Sequence, residues 1–180
     1  MRWKNNTQFR LRGYDYSQNG YYFVTVCTHN RGEVFGRVYK DNVLLSNIGI
    51  AAHTYWSEIP AHFKNVELDD YIFMPDHMHG IIVIRNRTCR QMNRRHTINR
   101  VPTIPKNNNQ VSNNPMQTEN WTLGEIIRQY KARTTFHVRE TVPLFRWQKR
   151  FHDRIIRNEK EYWVIKKYIQ DNPKISHTHL

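Results

Sequence analysis

Apolar residues recur along this chain in two rhythms, and the change from one to the other marks out its elements. Residues 21–28 (YYFVTVCT) are aromatic and β-branched and predict a strand. The following VFGRVYKDNVLLSNIG predicts a hairpin with Asp41-Asn42 in its turn. Ile48, Ala51, Ala52, Tyr55 and Ile59 then fall at helical spacing, which predicts a helix over 47–59 that Pro60 ends. Two more strands are expected at 66–74 and 78–84, around the Pro75-Asp76 break. Ile81 to Ile84 are apolar on both faces, as in a buried central strand. From 85 to 118 the periodicity stops. That stretch is rich in Asn, Arg, Gln, Thr and Pro without an acidic residue, and reads as a mobile basic insertion or a basic flap that orders on DNA. Helical spacing resumes with Leu123, Ile126, Ile127, Tyr130 and Thr134, behind a Thr122–Glu125 capping box. A short strand is expected within 150–157. A second capping pattern, Asn158–Glu161, opens a last helix that Pro173 should end. Strands and helices in this order predict a single α+β domain over 1–180: a ferredoxin-like (RRM-like) antiparallel sheet with packed helices.

Composition narrows the partner. The 180 residues are 38% hydrophobic and 13% aromatic, which suits a folded core and excludes wholesale disorder. The formal charge is +13, and it is unevenly placed. Residues 1–84 hold eight basic and eight acidic residues, so the whole excess lies after Ile84. A basic half interleaved with Trp, Tyr and Phe favours nucleic acid over a merely solvated face, because phosphates attract the charge and aromatic rings stack exposed bases. The candidate contacts are Arg128 and Lys131, off the apolar stripe of their helix, with Arg146, Lys149, Arg150 and Arg154 around Trp147 and Phe151. The alternative places Trp147 and Phe151 in the core and leaves the basic residues solvated. Cys27 and Cys89 are far apart with no CxxC, as expected of reduced thiols in the cytoplasm. No membrane span, secretion leader, P-loop or GxGxxG is expected from the sequence.

Two constellations could carry chemistry. His77 and His79 stand at i and i+2 on an expected strand, so both rings project from one face and can reach one cation. With ten histidines an HxH arises readily by chance, and His177 and His179 form another in the tail. The setting of His77 and His79, between a Met74-Pro75-Asp76 break and a buried strand, leaves ligand and structural histidine both open. On the last helix Tyr162, Ile165 and Ile169 share the apolar face, while Tyr168 and Asn172 are i,i+4 neighbours on one flank. A phenol beside a carboxamide could be nucleophile and oxygen ligand at one metal. A core tyrosine beside a helix-terminal Asn is the plainer alternative.

PDHMHGIIVI, GEIIRQYKA, RWQKRFHDRIIRN and YIQDNP, in that order over 21–175 apart from the insertion, resemble the REP-associated tyrosine transposases of the single-tyrosine HUH superfamily. The resemblance implies that His77, His79 and Asn172 hold a divalent metal, Mg²⁺ or Mn²⁺, and that Tyr168 is the nucleophile. The implied activity is transposase-type cleavage and strand transfer on single-stranded DNA bearing a hairpin, through a 5′-phosphotyrosine, by a monomer or homodimer. Two other readings compete. A non-catalytic single-stranded nucleic-acid-binding module derived from such an enzyme would bind without breaking strands. A metal phosphoesterase using activated water would cleave without a covalent adduct.

Overall fold

The computed structural model describes residues 11, 13–86 and 121–176. The expected insertion falls outside them except for Arg85 and Asn86, as do Cys89, His177 and His179. Ten strands and α-helices follow one another among these residues: β1 (Gly20–Cys27), β2 (Gly36–Tyr39), β3 (Asn42–Leu45), α1 (Asn47–Ser57), α2 (Ile59–His62), β4 (Val66–Phe73), β5 (His77–Ile84), α3 (Leu123–Val138), β6 (His152–Ile156) and α4 (Glu159–Ser176).

Four strands form one sheet in the order β4-β5-β1-β6, every neighbouring pair antiparallel, which is the expected ferredoxin-like arrangement. The apolar strands β1 and β5 take its centre, where both faces are covered. Alternation along them sorts side chains into two cores. Tyr22, Val24, Val26, Met78, Ile82 and Ile84 pack under Ala52 and Trp56 of α1 and Leu123, Ile126, Ile127 and Tyr130 of α3. Ile81 and Val83 pack on the other face with Ile156, Ile165 and Ile169, flanked by Tyr21 and Phe23. The last helix therefore lies on the face opposite α1 and α3. Ile165 and Ile169 are almost fully buried there, each contributing about 2 kcal/mol of apolar transfer.

Local signals explain most boundaries. The Thr122–Glu125 capping box is complete: Thr122 Oγ1 accepts from Glu125 N at 3.3 Å, and the Glu125 carboxylate accepts from Thr122 N at 2.9 Å. The box expected at α4 is half formed. Asn158 Oδ1 accepts from Glu161 N, but the Glu161 carboxylate takes the Arg157 N–H instead.

Three expectations are corrected. The β2–β3 turn falls on Lys40-Asp41, with φ of 46° and 60°, because a two-residue turn of this twist needs positive φ at both central positions. Pro60 does not end α1, which stops at Ser57. It sits in the first turn of α2, where its missing N–H costs nothing. Pro173 lies inside α4 rather than at its end, three residues before Ser176, where its missing N–H removes a single bond of the last turns.

Gly80 admits the Trp56 ring of α1 close against the sheet. A Cβ there would stand 2.7 Å from the Trp56 ring and 3.1 Å from Tyr71 Cβ. Gly80→Val should therefore lower stability by about 1–3 kcal/mol through overpacking, read as a shift in the urea midpoint. An unshifted midpoint would contradict this packing.

Candidate active site

Parity on β5 places the histidines. His77 and His79 share a face with Ile81 and Val83, the face that α4 covers. Tyr168 and Ile165 sit on adjacent turns of α4. Docking Ile165 and Ile169 on Ile81 and Val83 thus brings the phenol to the histidine end of the strand. The Tyr168 hydroxyl lies 3.3 Å from His79 Nε2, and His79 Nε2 lies 3.1 Å from His77 Nε2. Phe23 stacks on the His79 ring at 5.3 Å and meets the Tyr168 ring edge-on at 6.2 Å. All three groups belong to one chain.

The far nitrogen of each imidazole is held. Asp76 Oδ1 accepts from His77 Nδ1, and Asp76 is itself ion-paired to Arg31 at 2.6 Å. A carboxylate can only accept here, so the proton is placed on Nδ1 and His77 Nε2 is left as a lone pair. Burial acts to raise the Asp76 carboxyl. The hydrogen bond and charge of His77, with the charge of Arg31, outweigh that and hold it below the usual carboxylate range. Thr25 Oγ1 stands 2.8 Å from His79 Nδ1. A hydroxyl can donate or accept, so Thr25 supports either tautomer of His79. With the proton on its Nε2, His79 can donate to His77 Nε2. With the proton on Nδ1, both Nε2 lone pairs point into the same space.

That donor set fits a divalent cation. Two ligands ~2.1 Å from one ion at a right angle are ~3.0 Å apart, close to the observed separation of the two nitrogens. Among the described residues no group of three or more His, Cys, Asp and Glu side chains is arranged to hold a metal. Asn172 is buried, 7% exposed, on the turn of α4 after Tyr168.

The expected nucleic-acid contacts divide. Arg146, Lys149 and Arg150 are exposed on the segment before β6. Arg146 O accepts from His29 N, and Gln148 N donates to Cys27 O. Cys27 pairs with His77, so this segment crosses the histidine end of the sheet. Arg154 pairs with Phe23 in the register, which places it on the Tyr168 face, where it is ion-paired to Glu161. Arg128 is exposed on α3, on the far side of the sheet. Lys131 is tied in: its ammonium donates to the carbonyls of Gln148 at 2.9 Å and Arg150 at 3.2 Å, and burial pulls it down to about 8. Trp147 and Phe151 are half-buried and pack against the first core.

Thr25, Phe23 and Asp76 were not among the expected site residues. Asp76 was legible in principle, since it directly precedes His77. Thr25 and Phe23 are set by strand register, which no local pattern reveals. Tyr162 and Tyr130 pack on the second and first core respectively, as their helical stripes require.

Burial, together with the charges of His77 and Arg31, holds His79 well below the ordinary histidine value. The unfolded chain therefore takes up this proton first, and stability falls as the pH drops below ~6.5. In the metal-free protein, an NMR pH titration should show His79 still neutral at pH 6. Titration near ~6.5 would contradict the burial.

No family model matches the chain. An uncharacterized protein of Haemophilus influenzae is 33% identical over 165 residues, covering 91% of this chain and 86% of that protein. The solved structure of a REP-associated tyrosine transposase bound to a REP hairpin aligns over 95% of this chain and 75% of that one, with a TM-score of 0.57 and 19% identity. No helix among the described residues is long and apolar enough to cross a membrane. The chain belongs to one family with the Haemophilus influenzae protein, and its fold is that of the REP-associated tyrosine transposase.

Proposed function

We propose that the protein is a metal-dependent endonuclease and strand transferase, a tyrosine transposase, acting on single-stranded DNA that bears a hairpin. The observation that carries this reading is the meeting of Tyr168 with the two converging Nε2 atoms of His77 and His79. His77, His79 and Asn172 would hold Mg²⁺ or Mn²⁺, which when bound polarises a phosphate oxygen and stabilises charge on the leaving oxygen.

The remaining work falls to the chain itself. The Tyr168 oxygen attacks phosphorus, the bond to the 3′ oxygen breaks, and the phenol proton ends on that departing oxygen. The product is a 5′-phosphotyrosine with a free 3′-hydroxyl. One phosphodiester has been exchanged for another, so a 3′-hydroxyl can reverse the step and join a new end without a nucleotide cofactor. Phe23, edge-on to Tyr168 and stacked on His79, keeps the phenol over the pair. Arg146, Lys149 and Arg150 at the strand end, and Arg154 beside Phe23, would contact phosphates. Arg128 faces a different side and would serve a hairpin stem rather than the cleaved strand. Lys131 would act through the carbonyls it holds. The solved relative's REP hairpin motivates hairpin DNA as the substrate. Such a substrate and the buried free Cys27 suit a cytoplasmic protein.

Incubation with labelled single-stranded DNA and Mn²⁺ should yield a denaturation-resistant protein–DNA adduct. Tyr168→Phe should bind DNA as before and form none, and His77→Ala should slow adduct formation at least ~100-fold. Undiminished adduct in Tyr168→Phe would remove the tyrosine from the reaction. Binding without breakage by the unaltered protein would favour the non-catalytic module, and cleavage without adduct the phosphoesterase. Thr25→Val, which keeps the shape but loses the hydroxyl behind His79, should weaken Mn²⁺ binding ~10–100-fold in calorimetry. Unchanged affinity would separate Thr25 from the site.

A further inference from the structure

The helix that carries Tyr168 is held by more than its two isoleucines. In β4, Leu68 pairs with Ile82 but Tyr71 pairs with Gly80, so Asp69 and Asp70 together oppose one residue of β5. This is a β-bulge, and the extra residue turns both carboxylates toward α4. Lys166 Nζ meets Asp69 at 2.9 Å and Asp70 at 3.0 Å. One turn earlier, the Tyr162 hydroxyl donates to Asp69 at 2.5 Å. One turn later, Gln170 Nε2 donates to Asp70 at 2.8 Å. Lys166 also donates to the Tyr162 hydroxyl at 3.3 Å. Tyr162, Lys166 and Gln170 are successive i,i+4 neighbours, so one straight stripe of α4 is fastened to a single irregularity at the sheet edge. The side chains of Lys166 and Asp69 are only 18% and 19% exposed, and burial is too incomplete there to strip either of charge. The hydrogen bonds from Tyr162 and Lys166 more than offset the burial of Asp69 and hold it below its ordinary value, so the carboxylate stays ionised.

Tyr168 is two residues from Lys166, about 200° round the helix, on the opposite flank. Ile165 and Ile169 lie between the two flanks. Apolar contact is non-directional and permits a helix to roll; hydrogen bonds and a doubly paired ammonium do not. The tyrosine hydroxyl stands roughly 9 Å from the helix axis, so a 10° roll would carry it about 1.5 Å. A displacement of about 1 Å can cost on the order of 100-fold in rate.

We propose that Asp69, Asp70 and Lys166 are positioning residues: the β4 bulge fixes the roll of α4 and thereby presents Tyr168 to His77 and His79. The catalytic consequence rests on Tyr168 being the nucleophile; the positioning itself does not. Single-turnover adduct formation and DNA affinity are measured together for Lys166→Met, Lys166→Arg and, as a control of equal charge change on the exposed face of the same helix, Lys160→Met. Lys166→Met should slow adduct formation ~10–100-fold with DNA affinity within about threefold of the unaltered protein. Lys166→Arg, whose guanidinium can still span both carboxylates, should recover most of the rate, and Lys160→Met should keep it. Asp69→Asn with Asp70→Asn should behave as Lys166→Met does. Equal rates for Lys166→Met and Lys160→Met, a rate loss matched by lost affinity, or no recovery in Lys166→Arg would overturn the proposal. Nuclear Overhauser contacts between the Tyr168 and Phe23 rings supply a readout independent of catalysis. They should weaken in Lys166→Met and persist in Lys160→Met; their persistence in Lys166→Met would overturn the positioning role even if the unaltered protein formed no adduct. Absence of adduct from the unaltered protein would instead count against the proposed function.

Discussion

A β-strand shows alternate residues to opposite sides, and on β5 that constraint organises the whole molecule. Met78, Gly80, Ile82 and Ile84 face α1 and α3, while His77, His79, Ile81 and Val83 face α4. The same four residues that demand a covering helix therefore include the two imidazoles. A helix that buries Ile81 and Val83 under Ile165 and Ile169 runs along this face toward His79, where Tyr168 is found. Gly80 completes the arrangement from the other side, admitting the Trp56 ring to within contact of the backbone. Core and site are thus two ends of one strand face.

Electrostatics then sets the state of the histidines. Each ring has its Nδ1 held by a different kind of group, a carboxylate that only accepts and a hydroxyl that does either. Burial keeps His79 uncharged, so the pair does not repel as two cations would. The Arg31–Asp76 ion pair lies behind His77, and Arg146, Lys149 and Arg150 lie along the same end of the sheet. The +13 charge is therefore not a uniform coat. Part of the basic half is tied into the fold, as Lys131 with carbonyls, Arg154 with Glu161 and Lys166 with the bulge, while Arg146, Lys149 and Arg150 are exposed before β6.

What the sequence revealed and what it hid follow from the range of the interactions. The i,i+2 spacing of His77 and His79 and the flank position of Tyr168 are local periodicities, and both were legible. So was the Thr122 capping box, a contact between residues three apart. Thr25, Phe23 and the side of the sheet that α4 takes depend on pairing between segments more than fifty residues apart, which local pattern does not encode. Asp69 and Asp70 carry no local signal of their pairing; the register slip opposite Ile81 turns both to one face. Lys131 likewise looked like a surface cation until the segment before β6 closed over it. Pro173 misled because the rule that proline stops a helix weakens in the last turns.

The central claim is that His77, His79 and Tyr168 form one cation-centred site within a single chain. Stepwise addition of Mn²⁺ to the metal-free protein, followed by NMR, tests it most directly, because the paramagnetic ion broadens nearby nuclei according to distance. The ring signals of His77 and His79 should vanish first and those of Tyr168 with them, while signals at the opposite end of the sheet, around Val66 and Ile84, persist longest. Broadening centred on the bulge or elsewhere, with the His77 and His79 rings left sharp, would contradict it.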